Sequence, residues 1–283
     1  MNTSALSNGP ASAPKSVGHV WPRWRVWAIR VCYGLLSLLT LAMSHGVVDL
    51  LTGQAGPGFH YFAGAVTAFK FLAVGGVFVI CWTGGRSVLA FQALVVGQIC
   101  WLVSPALFAV QPTGSTPVST LFATAAIWFG PLILFRPNRR DLFRLDAYPS
   151  AILLPLALAA TVPLAIYAVH QGNNALDPTE GAGDPWRDMC GLGLVLAAQA
   201  VFAALRPRGT RWLPRLVALA AAWVGTLALI WPHDHTSPGA GLGAALVGWA
   251  VVFAVGAEFE ARRSASLASR LPGPNATSVL KTG

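Results

Sequence analysis

The chain has 283 residues, of which 55% are hydrophobic and only 10% are charged, and its mean hydropathy is +0.60. Soluble domains carry about 25% charged residues, so this composition excludes a soluble fold of this size and points to a multi-pass membrane protein. A net charge of +9 would suggest nucleic acid in a soluble chain, but here the basic residues sit between apolar segments. Membrane topology accounts for them, so the expected partner is the lipid bilayer and not nucleic acid.

In chain order, residues 1–20 are rich in Ser, Ala, Pro and Gly and read as a disordered cytoplasmic N-terminus. Residues 21–260 form the expected transmembrane domain. Its apolar runs fall near 27–51, 61–83, 87–110, 117–135, 150–170, 188–205, 212–231 and 240–257. Each is long enough to cross a bilayer. Each must be helical, because lipid offers no partner for backbone N–H and C=O groups. The predicted fold is therefore an all-α polytopic membrane helix bundle of about eight helices. Pro105, Pro131, Pro155 and Pro163 should bend some spans. Gly239 and Gly243 are expected to allow close helix packing. Residues 261–283 read as a disordered cytoplasmic C-terminus.

The first span ends in "LAMSHG", which resembles a small-residue cleavage site. The polar region before it is too long for a secretory n-region, so it reads as a retained span. Cys32, Cys81, Cys100 and Cys190 lie in or beside apolar runs without a CxxC, and read as packing residues.

Orientation follows from lysine and arginine. With the N-terminus in the cytoplasm, the inner segments hold 17 of the 19 basic residues. Arg187 is in an outer loop and Lys70 is inside a span. This asymmetry places both termini inside.

A shift of 125 residues superposes several features: His45 on His170, Gly56 and Gly58 on Gly181 and Gly183, and Tyr61 on Trp186. Two halves, 27–135 and 150–257, would then form a four-plus-four parallel repeat. Some transporters are built that way, with sites at the repeat interface. The alternative is that any alternating hydropathy profile aligns with itself.

Histidines and acids gather on the outer side. The candidate outer-face cluster is His45, Asp49, His170, His233, Asp234 and His235. His45 and Asp49 are spaced i, i+4 and would share a helix face. "WPHDHTSPG" places the other three between prolines. Three uses stay open: a divalent metal site such as zinc, a titrating His/Asp cluster, or an ordinary interfacial loop. No HExxH, paired CxxC or EF-hand pattern is present. The polar connection 170–188 carries Asp177-Pro178 and Asp184-Pro185, read as two turns. Inside the membrane the polar candidates are Lys70, Gln98 and Gln199. Such residues face the bundle interior and find partners. For Lys70 the candidates are Asp49, the rest of the outer cluster, or the two glutamines.

The stretch "NNALDPTEGAGDPWRDMCGLGLVLAAQAVFAALRPRG" resembles a group of uncharacterised actinobacterial multi-pass membrane proteins. Asp177-Pro178, Trp186 and Met189, then Arg206 and Arg208, carry the resemblance over some 40 residues. It implies a bacterial cell membrane and no particular activity. Membrane zinc hydrolases of the ceramidase or adiponectin-receptor type also place histidines and an aspartate in a helical bundle. This chain departs from them, with HxH in a loop where they carry HxxxH in a helix. The expected function is a non-enzymatic assembly component or carrier with no cofactor. The alternative is a metal-dependent membrane hydrolase acting at the outer face.

Overall fold

A computed structural model describes residues 23–42, 52, 58–83, 87–108, 149–176, 184–205 and 212–270. Seven helices fill them: α1 (Arg23–Ala42), α2 (His60–Thr83), α3 (Val88–Phe108), α4 (Leu153–Leu176), α5 (Asp184–Leu205), α6 (Trp212–Ile230) and α7 (Gly239–Arg270). There is no strand among the described residues. Five helices are long and apolar enough to cross a membrane: His60–Thr83, Leu153–Leu176, Pro185–Leu205, Trp212–Ile230 and Gly239–Arg263. Val88–Val103 is a shorter apolar stretch. The fold is a polytopic helical membrane bundle. The span expected at 117–135 lies outside the described residues, as does Pro131.

The helices form because nearly every residue in them is apolar, and they pack because their inward faces are small. On α4 the buried residues are Leu153, Ala157, Ala160, Leu164, Tyr167, Ala168, Gln171, Gly172 and Ala175. They recur every three or four positions, one face of a helix. The opposite face shows Leu158, Val162, Ile166 and Val169 to the surroundings. Large apolar groups outside and small ones inside is the membrane pattern, where close packing rather than water exclusion holds helices together. Pro155 lies in the first turn of α4, where a missing N–H matters little, and Pro163 lies inside that helix.

Helix α5 is central: it packs on α4, α3, α2 and α6. α6 pairs closely with α7, α2 packs on α6, and α1 lies against α2. A Cβ on Gly225 would lie 2.7 Å from the Gly243 carbonyl, and one on Gly243 would lie 2.9 Å from the Gly225 carbonyl. The α6 and α7 backbones therefore touch, as expected for Gly243. Gly239 has a different role. Nothing lies within 4 Å of its missing Cβ, and its φ of 83° is what requires glycine at the start of α7.

Two boundaries differ from the sequence reading. The polar connection 170–188 is mostly helix, because α4 continues to Leu176 and α5 begins at Asp184. Asp184-Pro185 is a helix start rather than a free turn; proline suits that position because its missing N–H would be unpaired there anyway. Asp177-Pro178 lies outside the described residues. At the other end of the chain, α7 runs to Arg270 instead of ending near 257. Residues 261–270, assigned to the disordered C-terminus, are helical, and 271–283 lie outside the described residues. The Ala-, Glu- and Arg-rich sequence favours helix. Arg215 of α6 also grips Glu258, with Nε donating to Oε1 at 2.7 Å.

Candidate functional site

The α6–α7 loop, residues 231–238, closes one end of the bundle, called here the capped end. α2 begins there with His60, and its first N–H groups have no helical partner. Asp234 supplies one from a distant part of the chain: the Tyr61 N–H donates to Asp234 Oδ2 at 2.8 Å. The same carboxylate lies 3.7 Å from His60 Nδ1, and the His60 ring stacks on Trp231 with centroids 5.8 Å apart.

His235 is held by the turn before α2. Its N–H donates to the Gly58 carbonyl at 3.1 Å. Its ring lies 5.5 Å from Phe59 and 6.5 Å from Trp186. Gly58 has φ of 83°, and a Cβ there would sit 2.5 Å from His235 Cδ2. Next in the loop, the Thr236 carbonyl accepts from Tyr167 Oη at 2.8 Å and from Gln171 Nε2 at 3.4 Å, both on α4. The loop therefore joins α2, α4 and α5 through ordinary polar bonds and ring contacts.

Of the candidate cluster, Asp234 and His235 are engaged in this way. His233 is exposed, as is His170 on α4. His45 and Asp49 lie outside the described residues. No three His, Cys, Asp or Glu side chains come together as metal ligands would, among the described residues. None of the four cysteines is disulfide-bonded. Sequence places His60 among the outer-side histidines but not in the candidate cluster, and it does not single out Tyr167, Gln171 and Thr236. Only Gln171 had a readable signal, since it continues the small-residue face of α4.

The membrane interior holds a second polar region. Gln199 of α5 donates through Nε2 to the Ala93 carbonyl of α3 at 2.6 Å. Gln199 and Gln98 line one cavity of about 10 Å³ with Phe69, Leu72, Ala73, Ala93, Leu94, Gly97 and Val195. Gln98 is 1% exposed and Gln199 4%. Gln98 Oε1, Gln98 Nε2 and Gln199 Oε1 have no hydrogen-bond partner. Gly97 permits this approach, since a Cβ there would lie 2.9 Å from Gln199 Nε2. Both glutamines are thus buried among the helices and line one cavity.

Lys70 is half-buried on α2, next to the cavity-lining Phe69. Asp188, near the start of α5, acts on it electrostatically. The acid whose charge Lys70 feels is thus on the neighbouring helix, toward the capped end. A second cavity of about 10 Å³ lies under the loop, lined by Tyr61, Leu164, Tyr167, Leu192, Gly193, Leu196, Val224, Pro238, Leu242 and Leu246. Both cavities touch the same two turns of α5.

No protein-family model, curated protein or solved structure matches this chain.

Proposed function

We propose that the protein is a non-enzymatic carrier for a small uncharged polar solute in the bacterial cell membrane. The observation that carries this reading is the meeting of Gln98 and Gln199 at a cavity inside an apolar bundle. Gln199 uses one amide hydrogen to bond α3, and three further amide atoms of the pair are left without a partner, which a folding role alone does not require. Buried polar groups without partners are rare in proteins, and within membranes they mark substrate and ion pathways. The two cavities on α5 supply successive openings between the capped end and the middle of the bundle.

Two further features support the reading. α2 packs on α6 as α3 packs on α5, and α1 lies on α2 as α4 lies on α5. A shift of 125 residues relates these pairs. It also carries the contact of Gly75 with Leu216 onto Ala200 and Phe91, within one turn of the observed Gln199–Ala93 bond. The four-plus-four repeat gains support from this correspondence, and repeated halves are a transporter architecture. The lysine and arginine distribution places both termini inside and the capped end outside. The bacterial setting comes from the resemblance carried by Trp186 and Met189.

The test is flux through purified protein in liposomes, read by stopped-flow light scattering under gradients of urea and of glycerol. Swelling faster than in protein-free vesicles is expected for at least one probe, and Gln98→Leu should return it to background. Rates equal to protein-free vesicles for both probes would remove the carrier reading. Orientation has a separate test in intact cells, in a background without the native cysteines. Glu180→Cys should react with an impermeant thiol reagent and Arg140→Cys should not.

A further inference from the structure

The cavity between Gln98 and Gln199 specifies its own occupant. Its volume of about 10 Å³ sits at the threshold for one water molecule. The lining carries no ionisable side chain, so the guest is uncharged. The three open positions are two carbonyl oxygens, Gln98 Oε1 and Gln199 Oε1, and one amide donor, Gln98 Nε2. A guest must therefore both donate and accept. Water offers two hydrogens and two lone pairs on one heavy atom, which matches both the size and the set of partners.

The contact between α6 and α2 offers a comparison. Under the 125-residue shift, Gln98 corresponds to Trp223. Trp223 Nε1 donates directly across the helix contact, to the Gly64 carbonyl at 2.9 Å and to Thr67 Oγ1 at 3.2 Å. An indole spans the gap between α6 and α2. Gln98 makes no such bond between α3 and α5, and it lines a cavity there. The cavity beneath the loop has the same volume but a different lining. Of its two tyrosines, Tyr167 directs its hydroxyl to Thr236, Tyr61 adds one buried hydroxyl that makes no hydrogen bond, and the remaining walls are apolar. One open hydroxyl falls short of the two to four polar partners that hold a buried water, so this cavity stays dry.

We infer that the Gln98–Gln199 cavity is a water-binding site. One water molecule donates to the two side-chain carbonyls and accepts from Gln98 Nε2, joining α3 to α5 inside the membrane. This deepens the carrier reading, on which its functional meaning rests. A water that stays in place satisfies the geometry equally well.

The experiment is X-ray radiolysis of the nanodisc-embedded protein in aerated buffer, followed by peptide mass spectrometry of the oxidised side chains. Hydroxyl radicals form at bound water and oxidise the side chains beside it. Leu72 lines the glutamine cavity, and Leu164 and Leu246 line the dry one. All three are buried leucines of equal intrinsic reactivity, so the comparison is internal to one folded molecule. Leu72 should be oxidised several-fold faster than Leu164 and Leu246. Gly97→Ala should lower that rate toward the leucine background, because its new methyl presses on the Gln199 amide. Equal rates at Leu72 and Leu164 in the wild type overturn the assignment, as does labelling at Leu72 unchanged by Gly97→Ala. Labelling without solute flux keeps the water and removes the carrier. Flux without labelling keeps the carrier and removes the water.

Discussion

The 231–238 loop and the Gln98–Gln199 cavity are both polar places in an apolar chain, and they use polarity differently. In the loop, Asp234 caps α2 and the Thr236 carbonyl accepts from two side chains of α4. Those groups are engaged by the fold itself, although single atoms beside them, Thr236 Oγ1 and Gln171 Oε1, make no hydrogen bond. At the cavity, three amide atoms of two lining residues have no protein partner. A polar group with its bonds made is a fastening. One left open in a closed interior is an offer to something else. The loop attracts attention in sequence because its residues are ionisable, yet the two glutamines bring three open amide atoms to one cavity.

Substitutions can break this contrast or sharpen it. The largest effect is expected at Gly58. Alanine there meets His235 and must adopt a left-handed backbone, so Gly58→Ala should cost about 2–3 kcal/mol. Unfolding in mixed micelles with increasing denaturing detergent would measure it. A wild-type midpoint would show that the loop does not fasten α2.

Asp234→Ala removes a helix cap and should cost about 1 kcal/mol. Asp234→Asn keeps an acceptor for the Tyr61 N–H and should recover most of that loss. Equal destabilisation by the two would mean that the charge, rather than the cap, is what matters. Gln98→Leu should separate the two regions most clearly. Replacing an amide by an apolar group of similar shape is expected to move stability by less than about 1 kcal/mol, while solute flux falls to background. Loss of fold and flux together would make Gln98 another fastening. Smallest of all is His233→Ala, at an exposed position with no side-chain hydrogen bond among the described residues. It should stay within ~0.5 kcal/mol of wild type, with flux unchanged.

Much of the bundle was legible because apolar length carries the helix signal directly. α2, α3, α5 and α6 begin and end close to where the hydropathy runs do. The interior placing of Gln98 and Gln199 followed from the same logic, since an amide inside a membrane must turn away from lipid. The misreadings share a cause: polarity was taken as a sign of loop. Residues 170–176 are polar, yet they extend α4, whose inward face needs Gln171 to reach Thr236. Arg- and Glu-rich residues after 257 likewise continue α7. The partners of the His-Asp-His motif were illegible for a different reason. Asp234 bonds a backbone N–H, and a backbone N–H has no sequence signature. His60 belonged to the outer set by its position, but nothing in its spacing linked it to a residue 174 positions away.

The glycine contact between α6 and α7 has a mechanical meaning. Two backbones pressed together at Gly225 and Gly243 leave no compliant side chains between them. Arg215 pins the far end of the same pair to Glu258, and Trp249 Nε1 ties α7 to the Leu156 carbonyl of α4 at 2.8 Å. α4, α6 and α7 therefore make a stiff frame on one flank of α5. α3 also packs along α5, where the Gln199 amide bonds the Ala93 carbonyl beside a small cavity. That contact is made through side chains rather than touching backbones, so it has more give than the α6–α7 pair. A change of packing around the cavity can be absorbed there while the frame keeps its shape.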